Sequence, residues 1–182
     1  MFKKFNLQET MSGQNPVKSS VVRGIRSKLV EQFPGLEPHI DEILPKKVNL
    51  IQIKCKDHFT LYAIDNEIMF FQHFSDPITP TLRLLHQYPD ILPHVRADRG
   101  AIKFVLSGAN IMCPGLTSPG AWLPEENIPE DTVVAVMAEG KEHALAVGVM
   151  KMSTDDIKSI NKNTGVDLIQ HLSDPLWKTR LD

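Results

Sequence analysis

Residue types that commonly take part in catalysis are present in this chain, but they form no catalytic motif. There is no Gly-x-Ser-x-Gly elbow, no Gly-x-x-x-x-Gly-Lys phosphate loop and no His-Glu-x-x-His zinc motif. Cys55 and His58 have the spacing of two metal ligands, but without further ligands this pair predicts ordinary residues at a strand edge. The seven histidines are scattered along the chain. We therefore expect a protein that is not an enzyme and that has no metal site and no cofactor.

The strongest candidate for a binding surface is the stretch from Asp98 to Pro119. Residues 100–106 predict a short helix that ends at Gly108, because glycine readily adopts the left-handed conformation that closes a helix. Residues 111–113 predict a short strand, which the following Pro-Gly dipeptide stops. Around Gly108 the backbone N–H groups would be exposed where no large side chain keeps a nucleic-acid backbone away. On spacing alone, a helix cap with a rim of solvated lysines is the more frequent arrangement.

The same short helix carries a phenylalanine that lies off its apolar face. At 100° per residue, Ala101, Ile102, Val105 and Leu106 form one apolar arc, and Phe104 falls about 130° from the centre of that arc. Phe104 is then either exposed, where it would suit a binding hot spot for a protein partner, or packed against another domain. The sequence leaves both possibilities open.

The first 92 residues predict a compact α+β unit in which helices pack on a small antiparallel sheet. The opening segment is rich in Gln, Ser, Gly and Asn and predicts a loose start. A helical period of apolar residues then changes to a strand-like period near residue 48. The predicted elements are helices over 17–33 and 36–44, strands over 50–55, 59–64 and 68–71 with a turn at 65–66, and a helix with Pro80 at its first position.

The second predicted unit, residues 93–182, combines many short strands with short helices and fits a partly closed β-barrel. Beyond the helix and strand around Gly108, we expect a proline-rich loop over 114–129. Ser153 is a good N-cap for a helix that ends at Ile160. The remaining predicted elements are strands over 132–137, 144–150 and 166–172, with a turn at 139–141.

Bulk properties limit the kinds of partner. The 182 residues include 42% apolar residues and carry a formal charge of −2, so any nucleic-acid binding must come from a local basic patch. Such a patch exists within the first 30 residues. The two cysteines argue against a disulfide framework, and no run of 18 apolar residues occurs. We expect a soluble protein in the reducing cytoplasm.

Several stretches resemble known sequences. The pattern Gly-Ala-x-x-x-x-Leu-x-Gly-Ala-x-x-x-x-Pro-Gly of residues 100–115 resembles the start of a PUA domain, a small RNA-binding fold. The chain as a whole resembles the eukaryotic malignant T-cell-amplified sequence family. The residues that carry this second resemblance are 1–5, 80–86, 100–121, 137–141 and 147–152.

The resemblance implies a translation factor that is not an enzyme. Members of that family form a heterodimer with the density-regulated protein and act on the 40S ribosomal subunit in re-initiation and in the release of deacylated tRNA during recycling. Residues 1–92 would then dock on the 40S subunit and bind the partner. The PUA domain, 93–182, would contact RNA, with the tRNA acceptor end as the expected target.

The resemblance also assigns candidate residues, because the region of PUA domains that matches 108–115 lies on their RNA-contacting side. Phe104 is the candidate contact for the protein partner. The basic residues of the first long helix either solvate its face or contact ribosomal RNA. The candidate RNA contacts of the PUA domain are Lys103, Ser107, Gly108, Ala109, Asn110, Pro114, Gly115, Lys141 and Lys151, and the candidate 40S contacts are Lys18, Arg23, Arg26 and Lys28.

Two other function classes remain open at this stage. One is a general RNA-binding adaptor that recruits mRNA or cap-associated proteins. The other is a PUA subunit of an RNA-modifying complex, although the first 92 residues are too short for the catalytic domain of a pseudouridine synthase or a transglycosylase.

Overall fold

The computed structural model describes residues 1–181 and contains two compact units. The first unit comprises Phe5–Ile91 with residues 179–181, and the second comprises Met1–Lys4 with Leu92–Lys178. This division differs from the predicted 1–92 and 93–182 at the chain ends, since the first four residues belong to the second unit. Each unit combines helices with a five-stranded sheet, which confirms the predicted α+β class.

The first unit is built on an antiparallel sheet with the strand order β1-β2-β3-β4-β5. Its helices include a 3-10 helix over Pro34–His39. The other elements, in chain order, are α1 (Leu7–Thr10), β1 (Met11–Pro16), α2 (Ser19–Gln32), α3 (Ile40–Ile43), β2 (Ile51–Cys55), β3 (Phe59–Ile64), β4 (Glu67–His73), β5 (Thr79–Pro80) and α4 (Leu82–Gln87).

Helix α2 forms because its apolar residues share one face. Val22, Ile25 and Leu29 are buried, while the charged residues between them fall on other faces. The residues with the least exposure in this unit include Leu36 on the 3-10 helix and Phe70 on β4. Burial of these apolar side chains holds the helices and the sheet together.

The second unit is built on a curled half-barrel with the strand order β6-β8-β9-β10-β7, in which β6 and β8 are parallel. A 3-10 helix over Arg99–Ala101 leads directly into α5. The other elements, in chain order, are β6 (His94–Ala97), α5 (Ile102–Leu106), β7 (Ile111–Met112), α6 (Pro114–Thr117), β8 (Val133–Ala138), β9 (Ala146–Met150), α7 (Thr154–Ile160), β10 (Thr164–His171) and α8 (Pro175–Lys178).

The core of the second unit lies where its sheet curls around the inward faces of α5 and α7. Val105 from α5 and Ile157 from α7 are almost fully buried against Val136 and Val166 of the sheet. Of the apolar arc predicted on α5, only Val105 is buried, whereas Ala101 and Ile102 are half-buried and Leu106 is 39% exposed. The helix is too short to cover a wide apolar face.

Several predicted local structures in the first unit were wrong. The start of the chain is not loose, because residues 11–16 form the edge strand β1 on β2. Pro80 does not begin a helix. It ends the short strand β5, and the Thr81 side chain caps α4 by accepting a hydrogen bond from the N–H of Leu84. The helix predicted over 36–44 is a 3-10 helix followed by the short α3.

The second unit differs from the prediction at three further places. Pro114 does not lead into a loop but starts α6, where its missing N–H costs nothing because the first turn of a helix leaves that donor unpaired. Strand β6 and helix α8 were not predicted. Strand β6 pairs in parallel with β8, a contact between residues about 40 positions apart that no local pattern reveals.

Two glycines of the first unit should respond in opposite ways to alanine. A Cβ on Gly24, in α2, would have no atom within 4 Å, so we expect Gly24→Ala to stabilise this unit by about 0.5–1 kcal/mol. A Cβ on Gly35 would lie 2.6 Å from the carbonyl oxygen of Ile91, so we expect Gly35→Ala to cost about 1–3 kcal/mol. Hydrogen exchange of β3 amides measures both effects. Equal exchange rates in the two variants would contradict this expectation.

Candidate nucleic-acid interface

The helix at the centre of the candidate surface is closed at both ends. The Asp98 side chain accepts a hydrogen bond from the N–H of Ala101 (2.8 Å) at its start. At its end, the N–H of Gly108 donates to the carbonyl of Val105 (2.9 Å), and the N–H of Ala109 donates to the carbonyl of Phe104 (3.0 Å). Gly108 has a φ of +87°, so this is a Schellman turn, as the position of the glycine predicts.

This closure corrects one part of the predicted site. The sequence predicted exposed backbone N–H groups around Gly108 that would face a nucleic acid. The N–H groups of Gly108 and Ala109 instead satisfy the last carbonyls of the helix, because a helix end leaves these acceptors without partners within the helix. The N–H groups of Gly108 and Ala109 are therefore not available to a nucleic acid, and side chains become the main candidates for contact at this turn.

The space beside Gly108 is occupied by two side chains that the sequence analysis did not select. A Cβ placed on Gly108 would lie 3.0 Å from Cε of Lys3 and 3.1 Å from Nε2 of His171. Because Gly108 has no side chain, the Lys3 side chain and the His171 imidazole can both lie close to its α-carbon. No sequence signal could have found this pair, since Lys3 and His171 lie at opposite ends of the chain.

His171 is held in position by the end of β10 and the start of α8. Its Nδ1 lies 3.0 Å from the carbonyl oxygen of Leu172, and its backbone N–H donates to Asp174 (3.1 Å). Asp174 also accepts from the N–H of Trp177 (2.8 Å). Burial raises the pKa of the Asp174 carboxyl above its ordinary value, although these two N–H groups act in the opposite direction.

The predicted contacts Lys103, Ser107 and Asn110 lie at this turn, but two of them have structural partners. The Ser107 hydroxyl donates to the carbonyl of Phe104 (2.7 Å), and the Asn110 side-chain oxygen accepts from the N–H of Leu168 on β10 (2.9 Å). The Lys103 ammonium is exposed and lies 5.1 Å from the centre of the Phe104 ring. Lys103 is therefore the predicted contact best placed to meet a phosphate.

Pro114 and Gly115 start helix α6 next to the same helix. Pro114 is exposed, and the carbonyl of Gly115 accepts a hydrogen bond from the N–H of Asp98 (3.0 Å). This bond ties α6 to the start of the helix that leads to Gly108. The predicted residues 108–115 thus lie on one continuous segment, and Gly115 has a structural role within it.

The other two predicted lysines have different surroundings. Lys141 is exposed at the turn after β8, whereas the Lys151 ammonium lies 3.9 Å from the Asp167 carboxylate across an exposed surface. An exposed pair at this distance contributes little to stability. Arg99, which the sequence analysis did not select, is also exposed, and its guanidinium lies 2.7 Å from the point that a Cβ on Gly140 would occupy.

A row of basic side chains therefore follows the helix. Arg99, on the 3-10 helix, and Lys103, on α5, are four residues apart in sequence, and both are exposed. Lys141 lies next to the Gly140 turn that Arg99 contacts, and Lys3 lies beyond the other end of the helix at Gly108. These side chains form a candidate basic surface on the second unit, although the Glu139 carboxylate accepts a hydrogen bond from the N–H of Arg99 (2.9 Å) at one end of it.

Phe104 is 56% exposed and projects from the same helix. Two further apolar side chains close to it in sequence are also exposed, Leu106 at 39% and Met112 at 51%. Exposed apolar side chains that occur together are a feature of protein-binding surfaces.

The basic residues of α2, together with Lys18, which directly precedes it, do not form a uniform surface in the first unit. Lys18, Arg23 and Lys28 are exposed. The Arg26 side chain is 15% exposed, donates to the carbonyl of Leu44 and forms an ion pair with Asp41. Its hydrogen bond and charge lower the pKa of the Asp41 carboxyl. Arg26 thus connects α2 to α3, which gives it a structural role.

Residues 1–181 contain no group of three or more His, Cys, Asp or Glu side chains that could hold a metal ion. Cys55 is buried, and its pKa is raised by that burial, while the His58 ring stacks on Phe74 with 4.4 Å between ring centres. Within the same residues, none of the helices has the length and apolar character needed to cross a membrane.

Domain comparisons define the class of protein. Residues 5–89 match the Pre-PUA-like domain, and residues 93–172 match the PUA domain. The structure is similar to that of a hypothetical protein from the archaeon Pyrococcus horikoshii, with 26% identity, a TM-score of 0.74 and coverage of 91% of this chain and 98% of the other. The chain is thus a PUA protein with a pre-PUA domain.

Sequence relatives define the family more closely. The chain is 55% identical over 177 residues to malignant T-cell-amplified sequence 2 of Homo sapiens, with 97% of each chain covered. It is 58% identical over 182 residues to translation machinery-associated protein 20 of Eremothecium gossypii, with 100% of this chain and 99% of the other covered. The chain belongs to the malignant T-cell-amplified sequence family, as the sequence analysis expected.

The structural role of Arg26 can be tested against its neighbour on α2. We expect Arg26→Gln to destabilise the first unit by about 1–2 kcal/mol, because the carbonyl of Leu44 loses a charged donor. Arg23→Gln is the control and should change stability by less than about 0.5 kcal/mol, since Arg23 is exposed. Urea unfolding followed by circular dichroism at pH 7 measures both.

The same unfolding experiment at lower pH distinguishes the contribution of the Asp41 ion pair to stability from that of the hydrogen bond to Leu44. Because Arg26 lowers the pKa of Asp41 in the folded protein, their ion pair contributes above the ordinary pKa of that carboxyl and is lost as pH falls through the lowered value. The deficit of Arg26→Gln should therefore shrink towards pH 3. A deficit that grows on acidification would contradict the assignment.

Proposed function

We propose that this protein is a non-enzymatic translation factor that acts in the cytoplasm with the density-regulated protein on the 40S ribosomal subunit. Its role is in re-initiation and in the release of deacylated tRNA during recycling. The PUA domain contacts RNA, with the acceptor end of tRNA as its target, and the pre-PUA domain docks on the 40S subunit.

The observation that carries this proposal is the similarity over the whole chain. Relatives that are 52–58% identical cover at least 94% of their own length, so both domains are shared with them. Two of these relatives, from Eremothecium gossypii and Schizosaccharomyces pombe, are named for their association with the translation machinery. A shared length and domain order support a shared function.

The arrangement of charge supports RNA contact by the PUA domain. Arg99 and Lys103 are exposed on the 3-10 helix and on α5, and Lys141 lies beside the turn that Arg99 contacts. Several such contacts to phosphates add up to useful affinity because each releases condensed counterions. The binding should therefore weaken steeply as salt is raised.

The exposed cations of α2 support a separate contact with ribosomal RNA. Lys18, Arg23 and Lys28 are exposed, whereas Arg26 is engaged with α3. We therefore leave Arg26 out of the proposed 40S contact. The three remaining cations act through charge alone, so this contact steers and strengthens docking without reading a base sequence.

The partner surface is proposed to centre on Phe104. An exposed phenylalanine on a short, capped helix is held rigidly and loses little conformational freedom on binding. Leu106 and Met112 add exposed apolar area close to it in sequence. Binding of the density-regulated protein there would cover apolar side chains that are otherwise in water.

Sedimentation with purified 40S subunits and deacylated tRNA tests the main proposal. We expect 40S association that is salt-sensitive and strengthened by the density-regulated protein, together with faster release of tRNA. Arg23→Glu with Lys28→Glu should weaken this association, because it reverses two phosphate contacts. The control is Lys54→Glu with Lys56→Glu, which makes the same change in charge at exposed positions on and after β2.

Other outcomes would favour the other two function classes. Binding to structured mRNA without binding to a tRNA acceptor stem or to 40S subunits would favour the general adaptor. Copurification with an RNA-modifying enzyme instead of 40S subunits would favour a subunit of a modifying complex. Equal loss in the two double variants would remove α2 as the docking element.

A matched pair of phenylalanines tests the partner surface. Phe104→Asp should abolish or strongly weaken binding of the density-regulated protein, since a carboxylate would be buried at the centre of the contact. Phe74→Asp is the control, because Phe74 is exposed to a similar degree, 59% against 56%, on a different unit. Calorimetric titration of the partner into each variant measures the effect. Full retention of binding by folded Phe104→Asp would refute this surface.

A further inference from the structure

We propose that Lys3 and His171 form a binding notch for one RNA nucleotide at the Gly108 turn. Lys3 binds its phosphate, and Nε2 of His171 accepts a hydrogen bond from its ribose hydroxyl. This inference rests on the proposed RNA binding by the PUA domain. It adds a residue that lies outside the 93–172 range of that domain and a means of distinguishing RNA from DNA.

The notch exists because residue 108 is a glycine. Lys3 Cε and His171 Nε2 both lie within 3.1 Å of the point that a Cβ there would occupy. Any side chain at this position would push the two groups away, and the φ of +87° would also strain it. The glycine therefore has two effects, since it closes the helix and lets two polar groups of different chemistry approach each other.

The start of the chain holds Lys3 at this turn. Met1–Lys4 belong to the same compact unit as the PUA domain, and the Phe2 side chain is only 1% exposed. Phe2 thus anchors the segment, while Lys3 itself is exposed and its ammonium remains accessible.

The surroundings of His171 determine which of its ring nitrogens can accept a hydrogen bond. The carbonyl of Leu172 can only accept a hydrogen bond, so the Nδ1 that lies 3.0 Å from it carries the proton. In the neutral ring, Nε2 is then an acceptor. The bond from the His171 N–H to Asp174 fixes the backbone at the same place.

An acceptor beside an ammonium matches the chemistry of a ribonucleotide. The ammonium of Lys3 suits a phosphate oxygen, and the lone pair of Nε2 suits the hydrogen of a ribose hydroxyl. A 2′-deoxynucleotide offers the phosphate but lacks this hydroxyl. The notch should therefore favour RNA over DNA of the same sequence.

Two neighbouring lysines provide the first test. The probes are a fluorescent RNA acceptor-stem hairpin with a single-stranded 3′ CCA end and its DNA counterpart, titrated with full-length protein at several salt concentrations. Lys3→Ala should weaken RNA binding several-fold and reduce the slope of log affinity against log salt by roughly 0.7–0.9, the loss of about one phosphate contact. Lys4→Ala removes the same charge one residue away and should leave both quantities almost unchanged.

A pair of substitutions at His171 provides the second test. His171→Asn keeps an amide N–H near the position of Nδ1 and removes the acceptor at Nε2, whereas His171→Gln places a polar amide near Nε2. We expect His171→Asn to reduce the preference for RNA over DNA and His171→Gln to restore part of it. Thermal unfolding of each variant checks that the fold is retained.

The outcomes separate this inference from the function on which it rests. If wild-type protein binds neither hairpin, RNA binding by this domain is wrong and the notch fails with it. If wild-type protein binds the RNA hairpin but Lys3→Ala and Lys4→Ala weaken binding equally, only the notch is overturned. An unchanged preference for RNA in folded His171→Asn overturns the role of Nε2.

Discussion

The termination of helix α5 at Gly108 is the constraint on which the candidate surface depends. The left-handed conformation at this residue turns the chain from the helix into β7, and two backbone hydrogen bonds use the N–H groups that would otherwise face solvent. Because the N–H groups of Gly108 and Ala109 are used within the turn, side chains are the main candidates for recognition there. The absence of a Cβ then decides which side chains can be present, and they are Lys3 and His171.

Features encoded by neighbouring residues were predictable from the sequence. The buried face of α2, the span 59–64 of β3 and the glycine that ends α5 all follow from short-range patterns. Ser153 caps α7 by accepting from the N–H of Asp156, because a hydroxyl at this position satisfies a donor that the helix leaves free. The domain type was predictable because the pattern of residues 100–115 combines such local features at fixed spacing.

Features that depend on distant residues could not be predicted in this way. Strand β1 has a polar sequence without alternation and becomes a strand only because β2 supplies the partner for its backbone. In the sequence, Arg26 resembles the other cations of its helix. In the structure it forms an ion pair with Asp41 on α3 and donates a hydrogen bond to the carbonyl of Leu44, which follows α3. Lys3 and His171 meet only after the chain folds. Periodicity reports which face of an element is apolar but not which distant group will meet its polar face.

The net negative charge has a consequence for how the PUA domain would hold RNA. With a net charge of −2, long-range attraction to phosphate is weak, and Arg26 and Lys151 already face carboxylates. Affinity for RNA would then come from local groups of cations held in fixed positions, because a rigid group loses less freedom on binding than a mobile one. Capped helices and a buried Phe2 provide such fixed positions beside Gly108. A cation held in such a position, as Lys3 is beside Gly108, should therefore contribute more to RNA binding than a cation on a mobile loop.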